Sequence, residues 1–271
     1  MNVYCALDLL KREMGRPAAT TTDDATLLRM LVSASRAIDD VCGRRFYSSI
    51  GTRYFTGNGR AKLWLPSWTG ELISVTGLTV DDGADNVYNL TLVQDTDYWL
   101  YPSQVDNEPY TAIELMPSGT QLSRWPRASR SVRIVGKFGY SEETEATGLT
   151  VQGGGVNASV TSITLSATAV DIIGAGSTII AGTEQMYVSA VATTVLTVVR
   201  GVNGTTAAAQ AAGVAVTRRR FPRLIEEVCA QEAARLARDV QTGATGRDDA
   251  EFRPPSSLRA RLAPYRAWQV G

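Results

Sequence analysis

The sequence predicts an α+β protein with a small all-β module inserted in it. Three observations lead there: apolar residues recur at helical spacing near both ends, short apolar runs broken by turn residues fill the stretch between, and residues 145–217 change abruptly in composition. With 271 residues, 44% of them hydrophobic and 20% charged, the chain falls among globular proteins and has the length for one large domain or two modest ones.

The first strong helix is predicted over 23–42, where Leu27, Leu31, Ala34, Ile38 and Val41 share a face. Thr22 is its N-cap, Asp23 and Asp24 suit the positive end of its dipole, and Gly43 supplies the left-handed stop. A shorter helix precedes it at 5–14 and ends at Gly15. The paired acids Asp23-Asp24 and Asp39-Asp40 read as capping and solvent-facing groups. From Arg53 to Tyr140 the period becomes extended, with strands at 61–65, 72–80, 87–93, 97–101, 111–115 and 131–138. Turns at Gly57-Asn58-Gly59, Asp81-Asp82-Gly83, Asp106-Asn107 and Pro117-Ser118-Gly119 make the pairing antiparallel.

Residues 145–217 are rich in Gly, Ala, Thr and Val, with four charges and one aromatic residue, Tyr187. SITLSATAV, STIIAGTEQMYVSAV and TVLTVVRGVNGTT read as strands, with Asn203-Gly204 as a hairpin or loop turn. Helix resumes at Phe221-Pro222, where Ile225, Cys229, Leu236 and Val240 mark an apolar face, Ala233 fills its gap and Gly243 ends the helix. Pro254-Pro255 stiffens the chain before a last helix from Ser256 or Ser257, with Leu258, Leu262 and Tyr265 on one side and Pro264 ending or bending it. The flanks of the module are expected to lie close together, so that a short link could replace residues 146–217.

The chain has no histidine, which removes the usual general base, the commonest metal ligand and the centre of hydrolytic triads. Cys5, Cys42 and Cys229 have no CxxC pairing, so they read as reduced core residues, and no metal or cofactor site is expected. Gly136-Lys137 lacks the rest of a phosphate loop, Gly174-Ala175-Gly176 lacks the third glycine of a dinucleotide fingerprint, and no Gly-x-Ser-x-Gly occurs. Asp95, Asp97, Asp106 and Glu108 could converge across strands as glycosidase carboxylates, though nothing singles them out. The first residues lack the apolar run of a signal peptide and no segment reaches about 18 apolar residues, so neither secretion nor membrane insertion is expected.

The 27 basic and 27 acidic side chains are unevenly spread. Residues 63–123 hold nine acids and no base, whereas Arg124, Arg127, Arg130, Arg133 and Lys137 follow without an acid among them. Fields of opposite sign can steer one protein surface against another, or against a second copy of itself. Arg218, Arg219 and Arg220, continued by Arg223, form the clearest basic cluster, read as a solvated or interface group ahead of nonspecific phosphate contact.

The order of several segments resembles the head-tail connector (adaptor) proteins of long-tailed bacteriophages. They are DDATLLRMLVSASRAIDDVCGRRF at 23–46, AKLWLPSW, LISVTGLTVDDG, VRIVGKFGYS at 132–141, FPRLIEEVCAQEAARLARD at 221–239 and LRARLAPYRAW at 258–268. The module at 145–217 departs from that pattern and itself resembles small β-modules of phage structural proteins through EQMYVSAV and RGVNGTTAAAQAAG. The resemblance implies a small helical bundle with an antiparallel β-extension at about 53–140. The core would be 1–144 with 218–271, the inserted module 145–217, and a C-terminal arm 253–271. It implies a ring, usually of twelve copies, in the virion neck, made in the host cytoplasm, docked on the portal and facing a stopper, tail-terminator or tail protein. DNA passes through the lumen, and no catalytic residue is implied.

On that resemblance, Arg253, Leu258, Arg259, Leu262, Tyr265, Arg266 and Trp268 are the candidate portal-binding residues, since Tyr, Trp and Arg anchor interfaces. Arg124, Arg127, Arg130, Arg133, Arg218, Arg219, Arg220 and Arg223 are candidates for contact between subunits or with DNA in the lumen. The module could brace the major capsid protein or a tail protein. The alternatives are a decorative surface protein whose module binds a glycan, and a carboxylate-based enzyme.

Overall fold

The computed structural model describes residues 2–17, 20–103, 109–118, 121–241 and 256–267. It is a mixed α+β structure with three antiparallel sheets. The chain begins with α1 (Leu7–Glu13) and α2 (Asp24–Cys42), followed by β1 (Ser49–Phe55), β2 (Lys62–Trp64), the single turn α3 (Ser67–Gly70) and β3 (Leu72–Val80). Next come β4 (Leu90–Leu92), β5 (Tyr98–Tyr101), β6 (Ala112–Leu115) and β7 (Val132–Phe138). The second half holds β8 (Thr144–Thr150), β9 (Ser162–Thr164), β10 (Thr178–Ala181), β11 (Glu184–Ala192), β12 (Val195–Val199) and β13 (Ala215–Arg219), then α4 (Arg223–Gln241) and α5 (Ser256–Arg261). Two compact units result: residues 1–42 with 143–266, and residues 43–142 with 267–271.

The first unit contains a six-stranded sheet in the order β8-β13-β10-β11-β12-β9. Its core is aliphatic, built on Leu149, Ile163, Leu165, Ile179, Met186, Val188, Leu196, Val198 and Val216. The outer strand β8 pairs with β13, with Thr144 opposite Arg219, so the chain enters and leaves the sheet side by side. Neither β8 nor β13 was expected: their alternation of Thr, Ala and charged residues carries little apolar signal. The run expected as one segment over 177–191 is a hairpin, folded between Ala181 and Glu184 with Gly182 at φ +60°. Asn203-Gly204 forms a 3-10 turn, with Asn203 at φ 58°.

A buried ion pair organises this sheet. Arg200 makes a two-pronged contact with Glu184, Nε to Oε1 at 2.8 Å and Nη2 to Oε2 at 2.7 Å. The backbone N–H groups of Gly201 and Ala208 donate to the same carboxylate at 2.9 and 3.0 Å. Arg200 donates in turn to the carbonyls of Asn157, Val160 and Ala208. Burial alone would raise the pKa of Glu184, but the guanidinium and the two N–H groups outweigh it and hold the carboxyl below its ordinary value.

In the same unit α1, α2 and α4 touch one another, and a separate helical bundle is not evident. The buried face of α2 uses Leu27, Leu31, Ala34 and Ile38 as expected, with Val41 only half-buried. The face of α4 differs: Ile225 and Cys229 are buried, Leu236 is half-buried and Val240 is 43% exposed. Val228, Ala230, Ala233, Ala234 and Ala237 complete the buried side, because small residues let helices approach closely without raising the apolar periodicity. Asp39 is buried rather than solvent-facing, accepting from the Tyr4 hydroxyl and from Arg36 at 3.2 Å. Asp23 and Asp24 pair with Arg16 and Lys11. The three cysteines are buried and free.

The N-terminal segment is bonded to the sheet. Asn2 and Asn203 exchange side-chain hydrogen bonds at 2.7 and 3.1 Å, and the Leu7 N–H donates to the Ala175 carbonyl at 2.9 Å. Replacing residues 146–217 by a short link therefore removes partners of Asn2 and α1, a cost that adjacency of the flanks does not reveal.

The second unit has a four-stranded sheet, β1-β7-β3-β4, and a three-stranded sheet, β2-β6-β5. They supply a shared core that includes Phe55, Leu63, Leu72, Leu78, Ile113, Trp125, Ile134 and Phe138. Strand β1 was not expected, since Gly51 and Arg53 interrupt its apolar alternation, yet it pairs with β7 along its full length, from Ser49 opposite Phe138 to Phe55 opposite Val132. Gly139 sits at φ +142°, and a Cβ there would lie 2.3 Å from the Tyr47 carbonyl oxygen, which explains one glycine of the Gly-Lys-Phe-Gly-Tyr strand end.

Two outcomes are expected in urea unfolding. Gly139→Ala should lose about 1–3 kcal/mol through backbone strain, whereas Gly154→Ala, with open space around it, should stay within about 0.5 kcal/mol. Glu184→Gln should cost about 3–5 kcal/mol at pH 7 by leaving Arg200 buried without its charge partner. Because the folded pKa of Glu184 is depressed, its contribution is full above the ordinary carboxylate value and is lost as pH falls through the folded one. The gap between wild type and Glu184→Gln should therefore narrow on acidification below the carboxylate range.

Candidate functional site

The basic stretch after residue 123 belongs to the loop leading into β7 and to β7 itself. Arg124, Arg127 and Arg130 are exposed, and Trp125 between them is buried, its indole N–H donating to the Ala61 carbonyl at 2.9 Å. Arg133 lies on the outer face of β7, directly opposite Tyr54 of β1 and Thr79 of β3. Its Nε donates to Thr79 Oγ1 at 2.9 Å, and its guanidinium sits 4.8 Å from the Tyr88 ring centre. Arg130 stacks 4.3 Å from the Tyr54 ring centre, while Tyr88 donates its hydroxyl to the Arg130 carbonyl at 2.6 Å. The structure thus interleaves two arginines with two tyrosines on one sheet face.

Two further arginines reach the β1 edge from the other face of the sheet, since Arg53 alternates with Tyr54 and stands opposite Ile134. Arg45, Thr52, Arg53, Tyr54, Phe55 and Arg130 line an open cleft of about 410 Å³ along β1. Burial, then the neighbouring Arg45 cation, lowers the pKa of Arg53 to about 10. Arg53 also lies 4.0 Å over the Phe138 ring. Sequence reasoning missed Arg45, Arg53, Tyr54 and Tyr88, because strand pairing and loop placement, not sequence spacing, bring Tyr54 to Arg133 and Tyr88 to Arg130.

The acids of 63–123 divide by burial. Asp81 is buried and accepts from the N–H groups of Asp85 and Asn86, and Asp97 is buried and accepts from Val93 N–H at 2.9 Å. These are loop-shaping bonds. Asp82, Asp85 and Asp95 are exposed on either side of β4. Asp106 and Glu108 lie outside the described residues; of the other two candidate carboxylates Asp95 is exposed and Asp97 buried. Among the described residues no cluster of metal-ligating side chains occurs, and no helix is long and apolar enough to cross a membrane.

The cluster at 218–223 is largely neutralised. Arg218 meets Glu145 at 2.6 Å, Arg220 meets Glu145 at 3.0 Å and Glu226 at 2.8 Å, and Arg223 meets Glu227 at 2.8 Å. Hydrogen bonds from Arg218 and Arg220 hold Glu145 below its ordinary pKa. Arg218, Arg219 and Arg220 also line a polar cavity of about 320 Å³ with Tyr4, Asp8 and Arg12.

The C-terminal candidates separate as well. Leu258 and Leu262 are buried at 4% and 0% exposure, so they are not open to a partner. Arg259 and Arg266 are exposed and Tyr265 is half-buried, while Arg253 and Trp268 lie outside the described residues.

The outer face of the three-stranded sheet carries a group that the sequence reading did not mark. Trp64, Ala112 and Tyr101 form one cross-strand row and Lys62, Glu114 and Trp99 the next. Trp64, Trp99 and Tyr101 are 42%, 43% and 41% exposed. Trp64 meets Tyr101 edge to face at 5.8 Å, and the Lys62 ammonium lies 3.2 Å from the Tyr101 ring centre. The alternation in Tyr98-Trp99-Leu100-Tyr101, with Tyr98 and Leu100 in the core, was the available signal. Comparison with protein-family models, curated proteins and solved structures finds no match.

Proposed function

We propose that the chain is a structural virion protein, a connector that assembles as a ring, of twelve copies on the family pattern. It would join the capsid portal to the tail or the next head-completion protein, with DNA passing through the lumen. Its antiparallel β-extension is residues 53–140 and its inserted all-β module residues 145–217. The observation that carries the reading is the exposed aromatic group Trp64, Trp99 and Tyr101 on a rigid sheet face. Large rings held in place by strand pairing lose little conformational entropy when covered, which is why aromatic residues dominate protein interfaces. In the C-terminal arm, Arg259, Tyr265 and Arg266 supply the portal contact, while Leu258 and Leu262 anchor the arm's base.

The same aromatic face favours a second reading, binding of a glycan, because sugars stack on open rings. Against it, the Lys62 ammonium covers one side of Tyr101 and the Trp64 edge meets the same ring. Protein contact needs no open ring face and is the better fit.

Mixed with the portal of the virus that encodes it, the chain should co-sediment saturably and give closed rings in electron-microscopic class averages. Trp99→Ala with Tyr101→Ala should weaken binding of the next neck protein by about thirtyfold, the loss of about 2 kcal/mol expected for a central anchor, without lowering the unfolding midpoint. Absence of portal binding at any ratio would reject the connector reading. Glycan binding that disappears in the same variant would favour the second.

A further inference from the structure

The four-stranded sheet ends in two open edges, β1 on one side and β4 on the other. Each β1-β7, β7-β3 and β3-β4 pairing is antiparallel, so β1 and β4 run in opposite directions. If a second copy is set beside the first in the same orientation, its β1 lies antiparallel to the first copy's β4. The ladder can then continue by the rule that built it. Unpaired edges of this kind are ready templates for another strand.

The charges at the two edges are opposite. Arg45, Arg53 and Arg130 border β1, together with Ile50 at 39% and Tyr54 at 42% exposure. Asp82 and Asp85 precede β4 and Asp95 follows it, and Val87 and Val93 there are 55% and 54% exposed. Register puts these groups in matching positions. Phe55, Val132, Val80 and Leu90 share one row, so the end where β4 begins is the end where β1 finishes. In the joint, Asp82 and Asp85 face the finish of the neighbour's β1, beside Arg130, while Asp95 falls toward its start, beside Arg45 and the Arg53 guanidinium, which reaches back to Ser49 and Phe138.

We propose that the β1 edge of one copy receives the β4 edge of the next, giving a head-to-tail interface fixed by these two sets of charges. The occupant is a second copy of this chain. The proposal deepens the ring reading by naming its subunit joint. A heterologous contact closes into a ring or runs on as a filament according to the rotation between copies.

Sedimentation velocity of the full chain over a concentration series tests it. The wild type should self-associate, and 0.5 M salt should weaken the association, as screening of exposed charges requires. Arg45→Glu with Arg130→Glu should weaken it by about tenfold or more, as should Asp82→Lys with Asp85→Asn, which keeps the side-chain oxygen that accepts from Val87 N–H. Mixing the two variants should restore association, because each supplies an edge that the other now complements. This recovery also shows that both variants are folded. Association unchanged in both variants would overturn this joint while leaving a ring built on other surfaces. A wild type that is monomeric at every concentration would overturn the joint, with portal co-sedimentation still deciding the connector reading. Binding of a labelled 20-residue DNA, lost in Arg45→Glu with Arg130→Glu but without self-association, would assign the cationic edge to nucleic acid instead.

Discussion

The unit formed by residues 1–42 and 143–266 depends on the buried pair of Glu184 and Arg200. A carboxylate with no exposure is costly unless every lone pair is used, and here a two-pronged guanidinium and the N–H groups of Gly201 and Ala208 use them. Those bonds set the path of the connection after β12, including the turn that presents Asn203. Asn203 then binds Asn2 and Gln185, which fixes the N-terminal segment. Two residues on, the Tyr4 N–H donates to Ser35 Oγ and the Tyr4 hydroxyl to Asp39. Ser35 donates to the Leu31 carbonyl and meets the Cys229 sulfur at 3.4 Å, which links α2 to α4. A single ion pair within the β-module is therefore connected, one polar contact at a time, to the packing of the helices.

This chain of contacts shows what the sequence could and could not reveal. Helices α1, α2 and α4 and strand β3 were legible because their own residues repeat at the right period. The segments EQMYVSAV and RGVNGTTAAAQAAG stood out as a pattern, and each begins with one partner of the buried pair. Their meaning depended on a contact across the sheet that no local period encodes. Asp39 was misread for the same reason: an acid on a helix reads as solvated until Tyr4, thirty-five positions earlier, is seen to cap it. Strands β1, β8 and β13 escaped because pairing, not apolar alternation, defines them.

The arginines show the same division at the surface. A run of cations at 218–220 looked the most promising, yet strand pairing places Glu145 opposite Arg218 and the start of α4 brings Glu226 to Arg220. A charge cluster in sequence became a neutralised one in space. Residues 45, 53 and 130, scattered in sequence, instead gather along one strand, where partial burial and then the neighbouring Arg45 cation lower the Arg53 pKa.

The placement of these charges bears on how copies of the sheet could meet. Pairing β1 with the β1 of another copy would set Arg45, Arg53 and Arg130 against themselves, and pairing β4 with β4 would set Asp82, Asp85 and Asp95 against themselves. Like charges at close range oppose both two-fold arrangements and leave the head-to-tail one. Strand β4 has only three residues, so few backbone hydrogen bonds could cross such a joint, and charge would decide its strength and direction. A weak ladder governed by charge can assemble and still resist the runaway edge pairing that a long apolar strand would invite. The three arginines and three aspartates of these edges are a small part of the 27 basic and 27 acidic side chains, so it is their position, not the chain's net charge, that would set the direction of such a joint.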